Sequence, residues 1–179
     1  MMLSRRMFIG LAVVLAGLSV FGSRAHGDSK VASAKSDAIQ AFDTLKKRNG
    51  EWQGTTESND GPAAKVTYHV TANGNTVMET LFPGTNHEMI SMYHLDGDKL
   101  FITHYCAMGN QPRMQLSSAT PGELKFDFAG GTNLDAKKDI HIHSGRILLL
   151  NPDRMESEWT VYEGEKQVGA NRLFLSRKK

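Results

Sequence analysis

The chain has 179 residues, with 21 basic and 19 acidic side chains, a formal net charge of +2 and a single cysteine, Cys106. One cysteine excludes an intramolecular disulfide, so the fold must be held by its core. Near-balanced charge gives no footing for nucleic-acid binding, and about 150 residues after the leader described next suffice for one domain that buries roughly 68–70% of its unfolded surface.

Residues 1–27, MMLSRRMFIGLAVVLAGLSVFGSRAHG, carry a basic pair, a short apolar run rich in Gly and Ala, and a small-residue end. This is the pattern of a signal peptide, because the apolar run is too short to span a bilayer comfortably. Ser4-Arg5-Arg6-Met7-Phe8-Ile9 resembles the twin-arginine export motif, with Gly10 where that motif often has lysine. Cleavage after Ala25-His26-Gly27 leaves a chain that starts near Asp28, with 18 basic residues against 19 acidic. The expected location is therefore periplasmic or secreted, with no stable membrane insertion once the leader is removed. Residues 28–35 read as a small, polar linker.

From Ser36, the positions Ala38, Ile39, Ala41, Phe42 and Leu45 recur at three- and four-residue spacing, which predicts one amphipathic helix ending at Asn49-Gly50. Ten strand-like runs follow, at 51–58, 64–72, 75–82, 87–95, 99–108, 113–118, 123–129, 139–150, 154–163 and 166–177, separated by Gly-, Pro- and Asn-rich breaks. Alternation places Leu124, Phe126 and Phe128 on one side of their strand. It does the same for Met155, Ser157, Trp159 and Val161. The expected fold is all-β: an antiparallel up-and-down barrel of about ten strands with one N-terminal α-helix over residues 36–179, wide enough for a ligand-sized cavity.

The first strand opens with Asn49-Gly50-Glu51-Trp52, a Gly-x-Trp element after the helix. Together with the strand count and a basic final strand, it resembles the calycin superfamily of lipocalins, fatty-acid-binding proteins and nitrobindin-like barrels, and in particular secreted bacterial lipocalin-like domains. The resemblance implies that Trp52 closes the barrel base under a basic residue of the last strand, either Arg172 or Arg177. It also implies a small apolar ligand. Nitrobindin-like barrels bind haem through a histidine close to the C-terminus. This chain has none after His143, so a haem role is not carried over.

Two clusters carry candidate chemistry. The runs flanking Asp96-Gly97-Asp98 read as a hairpin in which His87, Met89, Ser91 and Tyr93 share a face with Ile102, His104, Cys106 and Met108. In Asp139-Ile140-His141-Ile142-His143, both imidazoles project to one side, as two nitrogens must to reach one ion at about 2.0–2.1 Å. If they point into the barrel, His87, His104, Cys106, His141 and His143 form a candidate site for zinc or copper, the ions that mixed imidazole and sulfur ligands select. If Ile140 and Ile142 face the lumen instead, His141 and His143 are solvated. Met89, Met108 and Met114 read as core fillers, and His69 and His94 as surface residues. Tyr93 and Arg113 are candidate ligand-binding residues, with Arg113 expected at the barrel mouth near an anionic ligand. No phosphate loop, nucleophile elbow or His-Glu-x-x-His helix occurs. The preferred expectation is a non-enzymatic small-ligand- or metal-binding barrel. The alternatives are a metal-dependent enzyme with a His/Cys site in the lumen and a scaffold without a site.

Overall fold

The computed structural model describes residues 37–57 and 63–179, so the leader and linker expected over 1–27 and 28–35 lie outside the described residues. Helix α1 covers 37–46. Ten strands follow: β1 (Gly50–Thr56), β2 (Ala64–Thr71), β3 (Thr76–Leu81), β4 (Met89–Asp96), β5 (Lys99–Tyr105), β6 (Gln111–Thr120), β7 (Glu123–Thr132), β8 (Ile140–Asn151), β9 (Arg154–Glu163) and β10 (Lys166–Arg177). Each pairs antiparallel with its sequence neighbour, and β1 also pairs with β10, which closes the sheet into a barrel with no free edge.

Period-two alternation sets the inside. Val66 and Tyr68 of β2, Val77 and Leu81 of β3, Leu100 and Ile102 of β5, Leu124 and Phe126 of β7, and Leu173 and Leu175 of β10 are buried in one core, while the residues between them are exposed or half-buried except Glu79, Thr80 and Phe101, which are buried as well. The β4–β5 hairpin has the expected register, with Ser91 opposite His104 and Tyr93 opposite Ile102. Its two-residue turn starts at Gly97 with φ +62°, a conformation that glycine adopts without a Cβ penalty and that matches the twist of the flanking strands.

One end of the barrel is shut by α1. Ala38, Ala41, Phe42 and Leu45 sit in the core, whereas Ile39, expected among them, is 39% exposed because it falls one residue off the inward stripe. The helix leaves carbonyls unpaired at its C-terminal end, and the barrel supplies their donors. Trp52 Nε1 donates to the Arg48 carbonyl at 2.8 Å, and Arg177 donates to the carbonyls of Asn49 at 2.8 Å and Lys47 at 3.0 Å. Arg48 in turn reaches the Asn151 and Pro152 carbonyls in the β8–β9 turn.

Of the two basic residues considered as the cover of Trp52, the structure uses Arg177, whose guanidinium lies 4.5 Å from the indole, with Arg48 at 6.0 Å. The reason is parity. Arg177 continues the inward positions Leu173 and Leu175, while Arg172 pairs across β9 with Glu158.

Candidate functional site

The opposite end of the barrel is open and holds a cavity of about 610 Å³, within the range of small-molecule sites. Its apolar wall includes Leu81, Phe82, Met89, Ile142, Trp159 and Leu173. His87, His104, Asn171 and, at the rim, Glu57 and Arg172 supply polar groups. The positive charge at the rim is already matched: Arg172 forms an ion pair with Glu158 and stands 3.9 Å from Glu57.

A polar chain runs from the core to the cavity wall. Glu79 is fully buried on β3 between the inward positions Val77 and Leu81. It accepts hydrogen bonds from Tyr68 Oη at 2.6 Å and Tyr93 Oη at 2.7 Å, and Ser91 stands opposite it in the β3–β4 register. Burial raises the Glu79 pKa, and the neighbouring hydroxyls of Tyr68, Tyr93 and Ser91 oppose the rise. Burial and the neighbouring carboxylate push both tyrosines well above their usual range, so they remain protonated donors.

The next link is Ser91 Oγ to His104 Nδ1 at 3.0 Å. His104 is 4% exposed, and burial lowers its pKa to about 4, so the imidazole is neutral at pH 7. Its ring stacks on Trp159, with centroids 6.2 Å apart at 24°. Trp159 owes its position to Gly145 on β8: a Cβ there would stand 2.5 Å from the indole Cζ3. Two of the buried side-chain polar atoms without a hydrogen-bond partner belong to these cavity residues, His104 Nε2 and Trp159 Nε1.

No family model matches the chain, and no curated protein matches it. Among solved structures, it is similar to a protein of unknown function from the DUF3598 family of Nostoc punctiforme PCC 73102, with a TM-score of 0.50 and 14% identity. The match covers 75% of this chain and 49% of that one, so the chain spans about half the length of its structural neighbour. The likeness is one of fold.

The histidines separate into two places. His87, exposed in the β3–β4 connection, and His104 share the cavity. His141 and His143 do not line it; Ile142 does. The cause is an irregularity in β8 opposite β9: Ile142 pairs with the inward Val161, His141 pairs with Tyr162, and His143 falls in the register shift before Ser144.

Neither imidazole is simply solvated, His141 being buried and His143 half-buried. Pairing of β7 with β8 stops at Asp127 and Ser144, and beyond it Phe128, His141, His143 and Tyr162 gather. His143 lies between Phe128 and Tyr162, with centroids at 4.8 and 4.0 Å, and its Nδ1 is 3.0 Å from His141 Nε2. His141 is fully buried. Burial first, then the His141 charge, lowers the His143 pKa. The two nitrogens thus satisfy one another.

Cys106 contacts Met89, with Sγ to Sδ at 4.0 Å. Among the described residues, no group of three or more His, Cys, Asp or Glu side chains is arranged to hold a metal ion, so the five candidate ligands are not brought to one point. Tyr93 is fully buried and serves Glu79 from inside the core. Arg113, expected at the mouth, instead lies over Phe101 at 3.9 Å and pairs with Asp96 at 3.3 Å. Met108, expected as core filler, is 56% exposed in the turn between β5 and β6, while Met114 is fully buried.

Sequence reading did not single out Glu79. The available signal was an acidic residue on the same parity as Val77 and Leu81, an unusual occupant of an apolar face.

Proposed function

We propose that this chain is an exported, calycin-like barrel that binds a small, mainly apolar ligand non-covalently in the open end of the barrel, without catalysing a reaction. The observation that carries this reading is the cavity of about 610 Å³, open at one end and walled mainly by apolar side chains, with His87, His104 and Asn171 among its lining. A helix-sealed base and an open mouth define one entry for the ligand.

The test is saturable uptake of the neutral fluorophore N-phenyl-1-naphthylamine by the purified protein. We expect one molecule per chain, lost when Asn171→Trp, on the inward parity of Leu173 and opposite Trp159, fills the cavity. Absence of uptake, or uptake indifferent to Asn171→Trp, overturns the binding reading. Export rests on the Arg5-Arg6 leader and is tested separately. Replacing Arg5 and Arg6 together by lysine should leave the protein in the cytoplasmic fraction with its leader attached; unaltered processing rejects twin-arginine export.

A further inference from the structure

We infer that the ligand is an amphiphile with a single polar end, held with that end at the barrel mouth and its apolar body directed inward. The inference rests on the binding reading above and concerns which molecules the same cavity takes and which way round they sit.

Burial sorts the cavity lining by polarity. Three polar side chains of the lining reach water at the rim: His87 in the β3–β4 connection, Glu57 just past the end of β1, and Asn171 on β10 are all exposed. The buried part of the lining consists of Leu81, Leu173, His104 and Trp159, joined by half-buried Phe82, Met89 and Ile142. Two of these residues carry ring nitrogens, yet no nitrogen is offered to an occupant. His104 Nε2 and Trp159 Nε1 are buried atoms without accessible surface, and His104 Nδ1 is taken up by Ser91 Oγ at 3.0 Å. The stacked pair of rings therefore presents carbon to the cavity.

The polar groups behind this wall are closed off as well. Glu79, Tyr93, Ser91 and Ser157 are buried and do not line the cavity, and the Glu79 carboxylate is occupied by Tyr68 and Tyr93.

This gradient decides orientation. A hydroxyl, amide or charged group carried to the inner wall exchanges water for carbon, and a buried polar group without a partner is costly. At the mouth the same group keeps its water and has the exposed His87 and Asn171 side chains beside it. The apolar body gains from the transfer that the polar end avoids, because the gain follows the apolar area removed from water. A molecule with a polar group at each end can leave only one of them at the mouth when its chain lies extended. The cavity thus discriminates by the number and placement of polar groups, and a large head is tolerated because it stays outside.

The experiment displaces N-phenyl-1-naphthylamine with three uncharged molecules that share a twelve-carbon chain: 1-dodecanol, dodecyl maltoside below its micelle concentration, and 1,12-dodecanediol. We expect dodecanol and dodecyl maltoside to compete within about threefold of one another, since the disaccharide remains outside the mouth. The diol should compete at roughly tenfold higher concentration or worse, the consequence of one hydroxyl left without a partner at the inner wall. Dodecyl maltoside failing where dodecanol competes encloses the head and overturns the orientation. A diol as effective as dodecanol gives the inner wall a polar partner and overturns the single polar end. Probe uptake that dodecanol does not displace overturns the amphiphile class. A protein that takes up no probe at all overturns the binding reading instead, so the failures are distinguishable.

Discussion

The two ends of the barrel use similar side chains to opposite purposes. At the closed end, an indole and two guanidiniums from Trp52, Arg48 and Arg177 are joined to backbone carbonyls of α1, its exit and the β8–β9 turn. At the open end, an indole and an imidazole from Trp159 and His104 stack on one another beside a cavity of about 610 Å³. The difference teaches where this molecule gains stability and where it leaves space: side chains tied to backbone carbonyls fix one end, whereas at the other the apolar wall is left unfilled.

Breaking the closed end should have the largest effect. Trp52→Ala removes a fully buried indole beneath the helix and should lower stability by about 3–5 kcal/mol in urea denaturation. A loss below 1 kcal/mol, on the order of a surface substitution, would show that α1 rather than Trp52 seals the base.

The open end should respond to pH. The His104 pKa falls from 6.5 to about 4 on folding, so the unfolded chain binds more protons across that window, and stability should decline as pH drops from about 6.5 to about 4. The full contribution is about 3 kcal/mol. His104→Phe should flatten the profile in this interval, measured as the urea midpoint against pH; an unchanged slope would assign the pH dependence to other groups.

Arg177→Met, which removes the cation over Trp52 and the donors to the helix end, should cost about 1–3 kcal/mol and leave fluorophore affinity unchanged. Gly145→Ala sharpens the comparison from the other side. Its methyl group must displace the Trp159 ring, so fluorophore affinity should fall with a stability loss of about 1 kcal/mol. The smallest effect is expected of Arg113→Gln, on the exposed pair with Asp96: no measurable change in probe affinity.

The strands were legible because barrel walls impose a period of two and turns impose glycine, proline and asparagine. The ten expected runs overlap β1 to β10, and several share both boundaries or differ by one residue. The hairpin register could be read because a two-residue turn at Gly97-Asp98 leaves only one pairing, and it put Ser91 beside His104 as expected. His141 and His143 show the limit of the same rule. Their alternation is correct locally, but the irregularity opposite Val161 and Thr160 changes which residues face inward, and no local composition announces it. Glu79 was hidden for a different reason: its partners Tyr68 and Tyr93 lie 11 and 14 residues away and come within hydrogen-bond reach only across neighbouring strands.

By itself, the sequence determined the all-β class, the ten strands, the helix before them and the face shared by Ser91, Tyr93, Ile102 and His104, while the Trp52 base was implied only by the family resemblance. The patterns behind the former lie within one or two adjacent elements. Only the tertiary structure decided that this face is the lumen, that Arg177 rather than Arg172 covers Trp52, that His141 and His143 pack with Phe128 and Tyr162 beside the cavity wall, and that His104 Nε2 and Trp159 Nε1 are left without partners. Those outcomes depend on barrel closure, which joins β1 to β10 and brings β3, β4, β5, β8 and β9 around one space, and closure is a long-range condition that periodicity does not encode.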